Sequence, residues 1–155
     1  MRMKKIGLYI FTAIGITLIL SYRQAQEKDI ITKHKWIISS ATTLKPVDLN
    51  NRGTLSTDLL AQSPYCIKDN IFIFKVKGIF AIDDNDFPCA EPSSKNGKWN
   101  FIGKDSLQID FGIQDLKIKY KITKLNAEEM VLTTSMPFIP GGVEVVYSFK
   151  KVIKK

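Results

Sequence analysis

The sequence predicts an all-β domain of eight antiparallel strands closing into a barrel, with a short helix between the first and second strands. Three observations carry that expectation. From residue 71 onward, apolar and polar residues alternate with period two, most plainly in Leu107/Ile109/Phe111 against Ser106/Gln108/Asp110. Turn-forming groups interrupt the alternation repeatedly: Lys77-Gly78, Gly103-Lys104-Asp105, Asn126-Ala127-Glu128 and 137–142. No amphipathic helical stretch separates the strands, which argues against a parallel sheet. Closure removes both exposed edges, although a two-sheet sandwich satisfies the same alternation.

The elements follow in chain order. Residues 26–33 read as a polar lead-in, and Lys35 to Ala41 as the first strand, with Trp36 its large apolar residue. Asn50-Asn51-Arg52-Gly53 marks a turn. Ser56 or Thr57 then caps a short helix over residues 58–61, which Pro64 ends. Residues 71–76 form a strand apolar on both faces, and 79–82 return from the turn. A long polar loop spans 83–96, and Gly97 to Phe101 resumes a strand with Trp99 and Phe101 on one face. The remaining strands run through 106–111, up to Leu125, through 130–135 and through 143–150. Lys117, Lys119 and Lys121 alternate with Ile118, Tyr120 and Ile122, so the lysines mark the wet face. Leu107, Ile109, Phe111, Ile118, Tyr120, Ile122, Met130, Leu132, Val145, Tyr147 and Phe149 are accordingly expected inside.

Residues 1–25 are expected to be a signal peptide and 26–155 the folded domain. Arg2, Lys4 and Lys5 precede an uncharged run, Ile6 to Leu20, of the length of a signal h-region and short for a spanning helix. An uncleaved anchor is the alternative. Leu18-Ile19-Leu20-Ser21 is followed by Tyr22 where a bacterial lipoprotein carries Cys, so no lipid anchor is expected. Four of the 23 basic residues lie in the first 25 and none of the 15 acids does, so the formal charge falls from +8 to +4 on cleavage. That modest charge, with Tyr120 on the face opposite the lysines, points away from nucleic acid. An even pair of cysteines behind a leader, Cys66 and Cys89, suggests one disulfide, with free thiols the alternative.

No catalytic constellation emerges, and the expectation is a non-enzyme without cofactor or metal. His34 is the single histidine, with no local nucleophile or orienting partner. Asp83, Asp84 and Asp86 offer alternating oxygens of the kind calcium takes, but no bidentate Glu follows, and a solvated loop is the simpler reading. Trp36, Phe74, Trp99, Phe101, Tyr120 and Tyr147 are the candidates for lining an apolar cavity, against the alternative of a filled core.

The mature chain resembles the lipocalin-like domains of small exported Bacteroidetes proteins. The marks are Trp36 in the first strand, Cys66-Ile67-Lys68-Asp69 before a two-sided strand, and Cys89. Gly97-Lys98-Trp99, Tyr120-Lys121-Ile122 and Leu125-Asn126 complete them, so the likeness spans Trp36 to Phe149. The resemblance implies an up-and-down barrel in the periplasm or cell envelope of a Gram-negative bacterium. Such a barrel holds a small apolar or amphipathic molecule in its mouth, or serves as a solid structural or interaction module with an envelope protein partner. The chain departs from the group's lipoproteins at Tyr22, and His34-Lys35-Trp36 stands where ligand-binding lipocalins carry Gly-x-Trp.

Overall fold

The computed structural model describes residues 24–49, 52–89, 97–113, 116–136 and 142–153. The hydrophobic leader, Tyr22, and parts of the turns at 50–53 and 137–142 and of the loop at 83–96 lie outside them.

Eight antiparallel strands close into a barrel. They are β1 (Lys35–Val47), β3 (Ile71–Lys75), β4 (Ile79–Asp83), β5 (Gly97–Ile102), β6 (Ser106–Asp110), β7 (Lys117–Leu125), β8 (Glu129–Met136) and β9 (Val143–Lys151). Neighbours pair in this order, and β1 pairs with β9 to complete the ring. This is the up-and-down architecture. A short strand, β2 (Ser56–Asp58), adds to the upper half of β1.

β1 is longer than residues 35–41 because it serves several neighbours. Its first residues pair with β3, its last with β2, and Trp36 to Thr43 with β9. The ladder to β9 skips Ser39 between Ile38↔Phe149 and Ser40↔Ser148. This bulge reverses the alternation: Trp36 and Ile38 pack inward before it, Ala41 and Thr43 are buried after it. Ser39 Oγ donates to the Ser148 carbonyl at 3.1 Å, anchoring the extra residue. Thr123 does the same in β7, donating to the Val131 carbonyl at 3.2 Å and letting Leu125 reach the core.

Two expectations about helices change. Residues 24–33 are helical (α1), not a polar lead-in. The Ile31 side chain is fully buried in the main core, and its carbonyl accepts the Trp36 Nε1–H at 3.0 Å. Lys33 and Asp29 pair one turn apart on the wet side. The short helix of the first connection, α2 (Leu59–Gln62), is capped by Asp58, which accepts the Ala61 N–H at 2.9 Å, and not by Ser56 or Thr57. A further single turn, α3 (Tyr65–Lys68), holds Cys66.

The turns at 76–78, 103–105 and 126–128 share one end of the barrel with α1. Lys77 and Gly78 both take positive φ there, and a Cβ on Gly78 would meet the Trp99 carbonyl at 2.8 Å. The longer connections, with α2 and α3, gather at the opposite end, the mouth.

All eleven residues expected inside are buried or packed against the core, and Lys117, Lys119 and Lys121 are exposed. Neighbours on β7 therefore differ sharply. Ile122→Lys is expected to cost about 3 kcal/mol or more, by placing an ammonium among apolar side chains. Lys121→Ile is expected to stay within about 0.5 kcal/mol. Urea melts of the two variants check this; equal, small effects would contradict the inward placement of Ile122.

Candidate functional site

The barrel interior has two unlike halves. Toward α1, Trp36, Phe74, Phe80, Trp99, Leu107, Met130 and Leu132 are sealed from solvent. Their rings interlock edge-on or tilted: Phe74 meets Phe80 at 5.2 Å and Trp99 at 5.6 Å between centroids. The Trp99 Nε1–H donates to the Lys75 carbonyl at 3.0 Å. Trp36, Phe74 and Trp99 are thus part of a packed base, and both indole N–H groups are already satisfied.

Toward the mouth a second, smaller cluster joins Ala41, Val47, Leu59, Met136 and Val145. Leu59 comes from α2, which is held over β1 through its last residue. Gln62 Nε2–H donates to the Val47 carbonyl at 3.0 Å, and Gln62 Oε1 accepts the Leu49 N–H at 3.0 Å. Ile118 and Tyr147 touch both clusters and are only partly buried. Phe72, Ile82 and Phe111 are likewise packed on the base yet half-buried. The candidate site lies here, among apolar side chains between base and α2.

Polar groups in this region are few. Thr134 Oγ1–H donates to the Lys119 carbonyl at 2.8 Å and Thr43 Oγ1–H to the Lys45 carbonyl at 2.7 Å, so both hydroxyls are engaged. Tyr147 Oη–H reaches only the Met136 thioether, at 3.9 Å. The Tyr120 and Tyr147 phenol rings meet at 6.2 Å. Burial pushes the Tyr147 phenol up to about 12. Tyr120 is raised further, by burial first and then by the neighbouring Tyr147. Both therefore remain protonated at neutral pH and can donate.

Of the six ligand candidates, Tyr147 lies in this region, and Tyr120, buried in the main cluster, meets its ring from below. Phe101 lies elsewhere. With Trp99, Gln24, Ala25 and Lys28 it lines an open cleft of about 660 Å³ between α1 and β5. Ile118 and Phe111 were legible as inward-facing, but their partial exposure depends on neighbouring elements. Phe72 and Ile82 were hidden in a segment apolar on both faces.

Cys66 and Cys89 form a disulfide with Cα atoms 5.3 Å apart. It joins α3 to the loop after β4, where Tyr65 and Phe87 also meet edge-on at 4.7 Å. His34 packs edge-on against Trp36. No group of three or more His, Cys, Asp or Glu side chains suited to a metal occurs among the described residues.

No family model matches the chain, and no curated protein matches it.

Two outcomes follow from this geometry. Replacing both cysteines by Ser is expected to cost about 3 kcal/mol in a urea melt, from the freed 23-residue loop. The raised tyrosines carry an alkaline dependence. The folded protein keeps its phenol protons above pH about 10, where the unfolded chain releases them. Their stabilisation is complete below that pH and is lost as pH climbs toward about 12. Melts between pH 9 and pH 11.5 are expected to show a shallower decline in Tyr120→Phe than in the parent, at about 1.4 kcal/mol per pH unit or less for the removed group.

Proposed function

We propose that this chain is an exported, non-catalytic binding module of the lipocalin-like kind, which holds a small apolar or amphipathic molecule between the barrel base and α2. The observation that carries this reading is the half-burial of Phe72, Ile82, Phe111, Ile118 and Tyr147 on the inner wall. A barrel of eight strands with a fully filled interior has no reason to leave five large inward side chains partly uncovered. The ligand is met by apolar walls and by phenol donors, so a neutral body bearing a hydrogen-bond acceptor fits best.

Export is supported by the charged-then-apolar leader of residues 1–25 and by the Cys66–Cys89 bridge, which persists in oxidising compartments. The periplasm or cell envelope is the compartment we propose. The packed base favours a second reading, an envelope interaction barrel whose contacts are made by its outer loops. In that case the inner wall binds nothing.

Titration with the neutral fluorophore N-phenylnaphthylamine separates the two. Saturable enhancement with Kd on the order of 1–10 µM is expected for the parent chain. Ile118→Trp, which fills the space beside Tyr147, is expected to weaken it about tenfold or more while leaving the urea midpoint nearly unchanged. Absence of saturable binding, or equal binding by Ile118→Trp, would favour the solid barrel.

A further inference from the structure

Where β3 begins and β4 ends, three side-chain oxygens are closed off from water and have no hydrogen-bond partner: Asp69 Oδ1, Asn70 Oδ1 and Asp84 Oδ1. The sheet register gathers them. Ile71 pairs with Asp83 as the last step of the β3–β4 ladder, so Asn70 and Asp84 are the two residues that directly flank its end. Asp69 is the next residue back. Its second oxygen accepts the Phe87 N–H at 3.0 Å, which turns the carboxylate over the loop that Asp84 opens. The Cys66–Cys89 bridge clamps the same two segments together.

Asn70 is 8 % exposed and its carboxamide oxygen is among the three orphans. Buried acceptors set beside one another repel, and a buried acceptor without a donor is costly. The adjoining cations do not relieve this. Lys68 donates to the Ala61 carbonyl at 3.1 Å, and Lys35 lies 4.0 Å from Asp83 on the outer face. Two carboxylate oxygens and a carboxamide oxygen without donors call for a cation.

We propose that Asp69, Asn70 and Asp84 form a calcium site at the mouth of the barrel. The ligand set is all oxygen, as calcium prefers, and backbone carbonyls and water complete its flexible shell. An organic ammonium is a poorer occupant. It brings an alkyl stem into a closed corner and bonds at about 2.7–3.0 Å, whereas calcium sits at about 2.3–2.6 Å. Magnesium demands a tighter octahedron and gives up its water reluctantly. Of the three acids that alternate in this loop, only Asp84 belongs to the site. Asp83 faces Lys35, and Asp86 is exposed and accepts from Asn85.

Calorimetric titration of calcium chloride into the chelator-treated, disulfide-intact protein tests the site. The expected Kd is on the order of 10⁻⁴–10⁻³ M, with magnesium about tenfold weaker or worse. About 10 mM calcium is expected to raise the melting midpoint by roughly 3–6 °C. Asp84→Asn is expected to weaken calcium at least about tenfold, while Asp86→Asn, which removes the same charge two residues away, stays within about twofold. Should Asp84→Asn fail to fold, Asp69→Asn takes its place in the comparison. Absence of both heat and midpoint shift in the parent protein would overturn the proposal. So would equal loss in the Asp84 and Asp86 variants, which marks diffuse loop charge and no built site.

Discussion

Pairing of β1 with β9 is the constraint on which the rest of the structure depends. Without it, β1 and β9 would present unpaired backbone groups, and the inward residues of eight strands would have no common interior. β1 achieves closure by bending at Ser39, with Trp36 to Thr43 held by β9 on one edge while β3 and then β2 occupy the other. The bulge also decides what each half of β1 contributes. Before it, Trp36 enters the base; after it, Ala41 joins the cluster with Leu59 of α2, and Thr43 is buried.

The two ends of the barrel are closed by different means, and that difference creates the candidate site. α1 seals the turn end by placing Ile31 directly in the aromatic core and offering its carbonyl to Trp36. At the mouth, α2 covers one side through Leu59 and the amide of Gln62, above β1, β8 and β9. Phe72, Ile82 and Phe111, on the side of β3, β4 and β6, pack on the main cluster alone and stay half-buried there. Site chemistry follows from what those walls lack. The threonine hydroxyls are spent on backbone carbonyls, and the Tyr147 phenol reaches only the Met136 thioether.

The disulfide holds a polar corner beside this apolar region. Cys66 and Cys89 belong to segments with little regular structure, α3 and the loop after β4. Their bridge clamps the end of the β3–β4 ladder, where Asp69, Asn70 and Asp84 each carry a buried oxygen without a donor. A cation there would complete the corner and stiffen the same wall that borders the apolar space.

The strands and their wet and dry faces were legible in the sequence because period-two alternation is a local property. The stripe of Lys117, Lys119 and Lys121 oriented β7, and its partners followed from the tight turns. An even pair of cysteines behind a leader suggested the disulfide, and the fold, which brings the two Cα atoms to 5.3 Å, decided it over free thiols. Other features depended on contacts distant in the chain. α1 read as polar because a single apolar pair, Ile30-Ile31, suffices to dock it on the end of the barrel. The bulges at Ser39 and Thr123 are set by the partner strands, so the shift in facing after them has no local signal. The same holds for the aromatic residues. Trp36, Phe74 and Trp99 are chemically as suited to a ligand as Tyr120 and Tyr147. Only their depth, set by strand stagger and by α1, assigns the first three, together with Tyr120, to the main buried cluster and leaves Tyr147 half-buried between the two clusters.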